Sequence, residues 1–114
     1  LVKQKVNLQH LEDVVVIDDE RSVGQVITRI LGKEKVRFYT KSKDALQAIK
    51  AKIPQLIICD IIMPEMEGIE LILKLKQSHP DVKIIAISGG GRLGIMDFLN
   101  SANQIFMISS AGFP

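Results

Sequence analysis

Four polar side chains follow three apolar stretches of the sequence, at the points where buried strands would end. Asp18 and Asp19 come directly after "VVVI" (14–17), Asp60 follows "LIIC" (56–59), and Ser88 follows "IIAI" (84–87). In an open parallel sheet, ligands bind beyond the carboxyl ends of the strands. We therefore expect three carboxylates and one hydroxyl to converge at one edge of a sheet.

Clustered carboxylates repel one another unless a cation lies among them. Oxygen ligands of this kind suit Mg²⁺, which binds a few carboxylates and keeps several waters. A carboxylate beside bound Mg²⁺ can act as a nucleophile toward phosphorus and form an aspartyl phosphate. The pattern therefore predicts that Asp18 and Asp19 hold Mg²⁺ and that Asp60 accepts a phosphoryl group.

The elements that must position these residues alternate along the chain. Apolar runs predict strands over 14–17, 36–39, 56–59 and 83–87, and the short, more polar run 36–39 indicates a sheet edge. Helical spacing predicts helices over 22–31, 42–50 with Ser42 as the cap, 68–78, and from Leu93 through at least residue 103. Strands separated by helices form right-handed βαβ units, so the fold class is α/β with a parallel sheet covered on both faces.

Composition limits the classes of function. The 114 residues suffice for one domain, and the net charge of +2 is too small to indicate direct nucleic-acid binding. The single Cys59 excludes an internal disulfide and favours the reducing cytoplasm, and no apolar run is long enough to span a membrane. We interpret residues 1–12 as a lead-in outside the core, with a short helix as one option, and residues 13–114 as the domain.

Three motifs resemble those of the response-regulator receiver domain: the acidic pair in "VVVIDDE", the acceptor aspartate in "LIICDIIMPEMEG" and the hydroxyl in "IIAISGGG", together covering about residues 14–91. The resemblance implies a flavodoxin-like, doubly wound sheet with strand order 2-1-3-4-5. It implies that Asp60 is the phosphorylation site and that Asp19 binds Mg²⁺ directly, with Asp18 binding directly or through water. The backbone carbonyl of Ile62 would complete the protein's share of the metal ligands, and Ser88 would be the switch hydroxyl.

The resemblance also implies a partner and a mode of action. A sensor histidine kinase would supply the phosphoryl group, and the domain would signal by a conformational change, with no catalysis beyond its own phosphotransfer. Two other functions remain open. A degenerate receiver would act as an unphosphorylated docking module. A phosphatase resembling the haloacid dehalogenases would also use a strand-end aspartate, but it needs a second acid where this chain has Ile62.

Single residues of this set also have simpler interpretations. Asp18 or Asp19 could cap the first helix, and Asp60 could be a turn residue before Pro64. Ser88, which precedes three glycines, could belong to an ordinary loop. The convergence of the three aspartates favours the functional interpretation for them.

The sequence departs from the receiver pattern at its carboxyl-terminal end. Receiver domains carry a lysine at the end of strand five, followed by a fifth helix, and no lysine follows Ser88 here. In one explanation, 105–108 is strand five, and serine occupies the lysine position. In the other, which we favour, the helix after "SGGGR" is long, and the chain ends before the lysine.

The chain begins with Leu1 rather than methionine, and we expect a fragment of a longer protein. Without a fifth helix, one face of the sheet next to strands one and three would be exposed to water. The tail 98–114 is rich in apolar residues. We therefore expect the chain to form a homodimer through this tail.

Overall fold

The computed structural model describes residues 2–4, 10–60, 68–87 and 105–108. Within these ranges, the helices are α1 (Arg21–Leu31), α2 (Ser42–Ala51) and α3 (Gly68–Ser78). The strands are β1 (Val2–Gln4), β2 (Val14–Ile17), β3 (Val36–Tyr39), β4 (Leu56–Asp60), β5 (Lys83–Ile87) and β6 (Ile105–Ile108). All six strands belong to one sheet with the order β1-β6-β5-β4-β2-β3.

Four parallel strands form the part of the sheet that the sequence predicts. β2 lies between β3 and β4, and β4 lies between β2 and β5. Numbered without β1, this is the order 2-1-3-4 of the flavodoxin-like fold, which confirms that prediction. β3 is the outermost strand on its side of the described sheet, as its shorter and more polar sequence predicted.

The strands beyond β5 depart from the expected arrangement. β6 is antiparallel to β5, with Ile85 opposite Met107, and β1 is antiparallel to β6. β6 therefore begins near the carboxyl end of β5 and runs back along it, whereas a parallel fifth strand would first require a crossover to the other end of the sheet. The favoured explanation, a helix extending through residues 105–108, is wrong for these residues.

The amino-terminal segment also differs from the expectation. Val2–Gln4 form a strand at the end of the sheet rather than a short helix, because β6 offers them an edge with which to pair. The domain boundary at residue 13 stays a prediction. The helix expected from Leu93 and the tail proposed as a dimer contact lie outside the described residues, apart from the strand β6.

Helices cover both faces of the parallel strands. On one face, Val14, Val16, Leu56 and Ile58 pack in one cluster with residues of α1. On the other face, alternate strand residues pack with α2 and α3; the buried members of this cluster are Val15, Ile17, Ala45, Ile49, Ile57, Cys59, Leu71, Ile72, Leu75, Val82 and Ile84. The expectation that one face of the sheet would be exposed to water is therefore wrong, since every residue of β2 and positions 56–59 of β4 are fully buried.

The helix ends agree with the sequence at α1 but not at α2. Gly32 follows α1 with φ of 114°, and its N–H donates to the carbonyl of Thr28, as expected of a helix stop. The expected cap Ser42 instead lies inside the first turn of α2 and is 4% exposed, and Lys41 occupies the cap position. The prediction that Ser42 caps α2 is therefore wrong.

The amino ends of the strands are joined by Arg37 on β3. Its guanidinium donates two hydrogen bonds of 3.0 Å to the two carboxylate oxygens of Asp13, the residue before β2. It also donates to the carbonyl oxygens of Ala48 and Lys52 at the end of α2. This side chain thus ties β3, β2 and α2 together at the end of the sheet opposite the candidate site.

Candidate functional site

The register between β2 and β4 places Asp18 and Asp60 side by side. Ile17 and Cys59 are paired across β2 and β4, and each is followed directly by an aspartate, Asp18 or Asp60. The backbone N–H of Asp18 donates to the carbonyl of Tyr39 at 3.1 Å, which extends the β2–β3 pairing by one residue. The sheet itself therefore fixes the backbone that carries both carboxylates.

The three predicted acidic residues meet at this edge. Asp18, Asp19 and Asp60 each offer one carboxylate oxygen, and these oxygens all lie within 4.8 Å of one another. Asp18 is buried, Asp60 is half-buried and Asp19 is exposed, so the cluster is reached by solvent at Asp19. Three hard oxygen donors at this spacing fit a divalent cation such as Mg²⁺.

Asp18 is the most buried of the three aspartates. It is 3% exposed, and its Oδ1 accepts a hydrogen bond of 2.8 Å from the backbone N–H of Glu20. Burial, with smaller contributions from Asp60, Asp19 and Glu20, raises the pKa of Asp18 to about 7, and the hydrogen bond from Glu20 opposes this rise. The ionised form of the cluster therefore needs a nearby positive charge to stabilise it, which agrees with a cation bound by the carboxylate oxygens.

The hydrogen bond between Glu20 and Asp18 is a feature that our sequence analysis missed. It spans two residues, the pattern by which an aspartate orients itself on its own backbone, and the succession Asp-Asp-Glu was the available signal. The residue at the cap of α1 is Glu20, with no side-chain cap hydrogen bond. The simpler interpretation, in which Asp18 or Asp19 caps this helix, is therefore not what the structure has.

Cys59, which precedes Asp60, is part of the hydrophobic core. The side chain is fully buried, and burial raises the pKa of the thiol far above its usual range. A thiol held in its neutral form does not serve as a nucleophile or as a metal ligand. The side chain thus belongs to the hydrophobic core and not to the acidic cluster.

Two predicted site residues lie outside the described residues. They are Ile62, whose backbone carbonyl was expected to bind the metal, and Ser88, the expected switch hydroxyl. Their roles stay predictions. Within the described ranges, none of the helices combines the length and apolar character that a membrane span requires.

A family model for the response regulator receiver domain matches residues 14–102. The chain belongs to this family. The receiver match begins at the first residue of β2 and includes Asp18, Asp19, Asp60 and Ser88, which confirms the resemblance drawn from the three motifs.

Similar curated proteins are response regulators. The chain is 34% identical over 67 residues to the regulatory protein LuxO of Vibrio vulnificus, covering 58% of this chain and 15% of that protein. It is 30% identical over 78 residues to the DNA-binding transcriptional regulator NtrC of Proteus hauseri, covering 67% of this chain and 16% of that protein. This receiver thus spans about a sixth of the length of these two relatives.

Solved receiver structures have a similar fold. A CheY-like receiver domain from Methanospirillum hungatei superimposes with a TM-score of 0.65 at 27% identity, covering 82% of this chain and 76% of that one. The response regulator TrrA from Thermotoga maritima, solved in complex with Mg²⁺-BeF, gives a TM-score of 0.64 at 25% identity, covering 68% of this chain and 70% of that one.

Proposed function

We propose that this receiver domain takes a phosphoryl group onto Asp60 with the help of Mg²⁺ and signals by a change of conformation. The observation that carries this proposal is the convergence of three carboxylates from two neighbouring strands at the carboxyl edge of the sheet. Three carboxylates with oxygens within 4.8 Å of one another would be unfavourable if they served only to build a core, because charged groups are costly to bury.

The carboxylates have different parts in this proposal. Asp19, which is exposed, would bind Mg²⁺ directly, whereas Asp18, held by the N–H of Glu20, would bind directly or through water. Asp60 would belong to the same metal site and supply the attacking oxygen, and the carbonyl of Ile62 would complete the ligand set. Bound Mg²⁺ offsets the negative charge of the carboxylates and of the transferred phosphoryl group.

The proposed reaction is a direct displacement at phosphorus. One carboxylate oxygen of Asp60 attacks the phosphorus of a phosphohistidine, and a P–O bond forms as the P–N bond breaks. The electron pair of the broken bond leaves with the imidazole nitrogen of the donor. The product is an acyl phosphate on Asp60, which the hydroxyl of Ser88 is proposed to contact and so to couple to the change of conformation.

The donor in this proposal is a phosphohistidine on a sensor histidine kinase. Support comes from the family, because receiver domains of response regulators are phosphorylated by sensor kinases. The output of the whole protein is also a proposal: the relatives LuxO and NtrC are named as regulators, and this domain would control an attached or separate effector.

A small donor with a P–N bond tests the proposal without knowledge of the kinase. The chain is incubated with phosphoramidate and Mg²⁺, the acyl phosphate is reduced with borohydride, and the modified residue is located by peptide mass spectrometry. We expect the reduced residue at position 60, and none in a sample treated with a chelator. Labelling at another residue would contradict the assignment of Asp60, and no labelling at all would instead support the degenerate docking module.

A further inference from the structure

The open edge of the sheet at β3 carries backbone groups that can pair with another chain. The carbonyl groups of Lys35 and Tyr39 accept hydrogen bonds from Val14 and Asp18 on the β2 side. Successive residues of a strand direct their N–H and C=O groups to alternate edges. The backbone groups of Val36 and Phe38 therefore point away from β2, where the described part of the chain has no further strand.

A groove lies beside this edge, between β3 and α1. It is shallow and largely open to solvent, with a volume of about 460 Å³. Its lining residues are Gly24, Gln25, Thr28, Arg29, Lys33 and Phe38. Gly24 shapes the floor, because a Cβ at this position would overlap the ring of Phe38. The ring of Phe38 thus packs closely against the bare backbone of α1 and gives the groove an apolar floor.

Positive charge surrounds the groove and the edge. The exposed cations Arg29 and Lys33 belong to the lining, and neither forms an ion pair within the described ranges. Further lysines stand at both ends of β3, namely Lys35 before it and Lys41 and Lys43 after it, against the acids Glu34 and Asp44. This charge complements an acidic partner.

We propose that the edge of β3 and the groove beside it bind an acidic peptide segment in an extended conformation. The segment adds a strand to the sheet by pairing with the backbone of Val36 and Phe38. One apolar side chain of the segment enters the groove over Phe38, and flanking carboxylates contact Arg29 and Lys33. Backbone pairing supplies binding in such complexes, and the alternate side chains supply selectivity.

Lysines at a sheet edge have a simpler use, which the test must separate. They keep exposed edges of neighbouring molecules from pairing with one another. A protective role needs the charges but no groove, and it predicts that no peptide binds. The groove, with its apolar floor and its two cations, is the observation that favours a bound segment.

The experiment selects binders from a library of short random peptides displayed on phage, with the whole chain as bait. The selected peptides are then made synthetically, and their affinity is measured by fluorescence anisotropy. We expect the selected sequences to be rich in aspartate and glutamate alternating with apolar residues. Amide hydrogen exchange locates the bound peptide, and we expect new protection at Val36 and Phe38.

Charge reversal separates the groove from general electrostatic attraction. The variant Arg29→Glu/Lys33→Glu is expected to weaken peptide binding by about tenfold or more. The matched control is Lys74→Glu/Lys83→Glu, which makes the same charge change at exposed sites of α3 and β5 and is expected to bind almost normally. Three outcomes would each overturn the proposal: an absence of selected binders, selection without acidic residues, or equal weakening in both variants.

Discussion

Asp18 and Asp60 follow a pair of cross-strand partners, Ile17 and Cys59, and their carboxylates lie in one cluster with Asp19 at the carboxyl edge of the sheet. Both aspartates extend fully buried stretches of strand. The hydrophobic core thus fixes their positions. The repulsion between their like charges is unfavourable and is offset by the stability of the sheet. Removing or neutralising one charge should therefore stabilise the metal-free domain.

The metal-free domain should lose stability as the pH rises from about 4 to about 7. Asp18 has a pKa of about 7 in the native state and 3.8 when unperturbed, so the native state binds more protons than the unfolded state between these values. The free energy of unfolding should fall by an amount on the order of 1–4 kcal/mol over this interval and then level off. Urea denaturation at a series of pH values, with a chelator present, measures this change.

The variant Asp18→Asn should remove most of that pH dependence, because asparagine cannot ionise and its side-chain oxygen can still accept the hydrogen bond from Glu20. Asp44→Asn is the matched control, since Asp44 is an exposed carboxylate in α2. A pH dependence unchanged in Asp18→Asn would show that another group causes it.

Mg²⁺ should stabilise the domain through the acidic cluster. A ligand that binds only the native state adds about 2.7 kcal/mol to the free energy of unfolding when its free concentration is roughly 100 times its dissociation constant. Asp19→Asn should lose most of this gain, because it removes the exposed carboxylate of the cluster. Denaturation with and without Mg²⁺ at constant ionic strength tests this, with Asp44→Asn as the control, and an equal gain in both variants would place the metal elsewhere.

Arg37→Met should destabilise the domain by about 1–3 kcal/mol. The change removes the paired hydrogen bonds to Asp13 and those to the carbonyl groups of Ala48 and Lys52, and it leaves the 16% exposed carboxylate of Asp13 without its guanidinium partner. Arg37→Lys should recover little, because lysine cannot form the paired contact. Urea denaturation measures the free energy of unfolding of both variants against Lys43→Met, which changes an exposed cation. A similar small loss of stability in all three variants would refute the structural role of Arg37.

Gly24→Ala should destabilise the domain even though alanine favours helices. The new methyl group would overlap the ring of Phe38, and overpacking costs about 1–3 kcal/mol against a gain in helix propensity of about 1 kcal/mol. Phe38→Leu should cost less in the Gly24→Ala background than in the wild type. A double-mutant cycle measures this coupling, which we expect to exceed about 0.5 kcal/mol; strict additivity would mean that the two residues do not constrain each other.

The sequence was sufficient to predict the parallel strands and the acidic cluster. The run "VVVI" and the motif around Asp60 carry strong local signals, because strands buried on both faces need uninterrupted apolar residues. The parallel order then determines which strand ends are neighbours. The position of the three carboxylates therefore follows from local pattern and topology together.

The sequence could not predict the far side of the sheet or the details of the caps. The segment Ile105–Ile108 is apolar enough for either a helix or a strand, and its antiparallel pairing with β5 depends on long-range contacts that no local pattern encodes. Val2–Gln4 pair with that same strand, so their strand also depends on a long-range contact that their own sequence does not indicate. Ser42 shows that a favoured cap residue can instead be buried inside the first helical turn.

The most direct test of the proposed function is the intact mass of the chain after incubation with acetyl phosphate and Mg²⁺. We predict that the wild-type chain gains the mass of one phosphoryl group, that a chelator prevents the gain, and that Asp60→Asn shows none. Asp44→Asn, the control for an exposed carboxylate, should gain as the wild type does. An unchanged wild-type mass in the presence of Mg²⁺, or an equal gain in Asp60→Asn, would contradict the assignment of Asp60 as the phosphoryl acceptor.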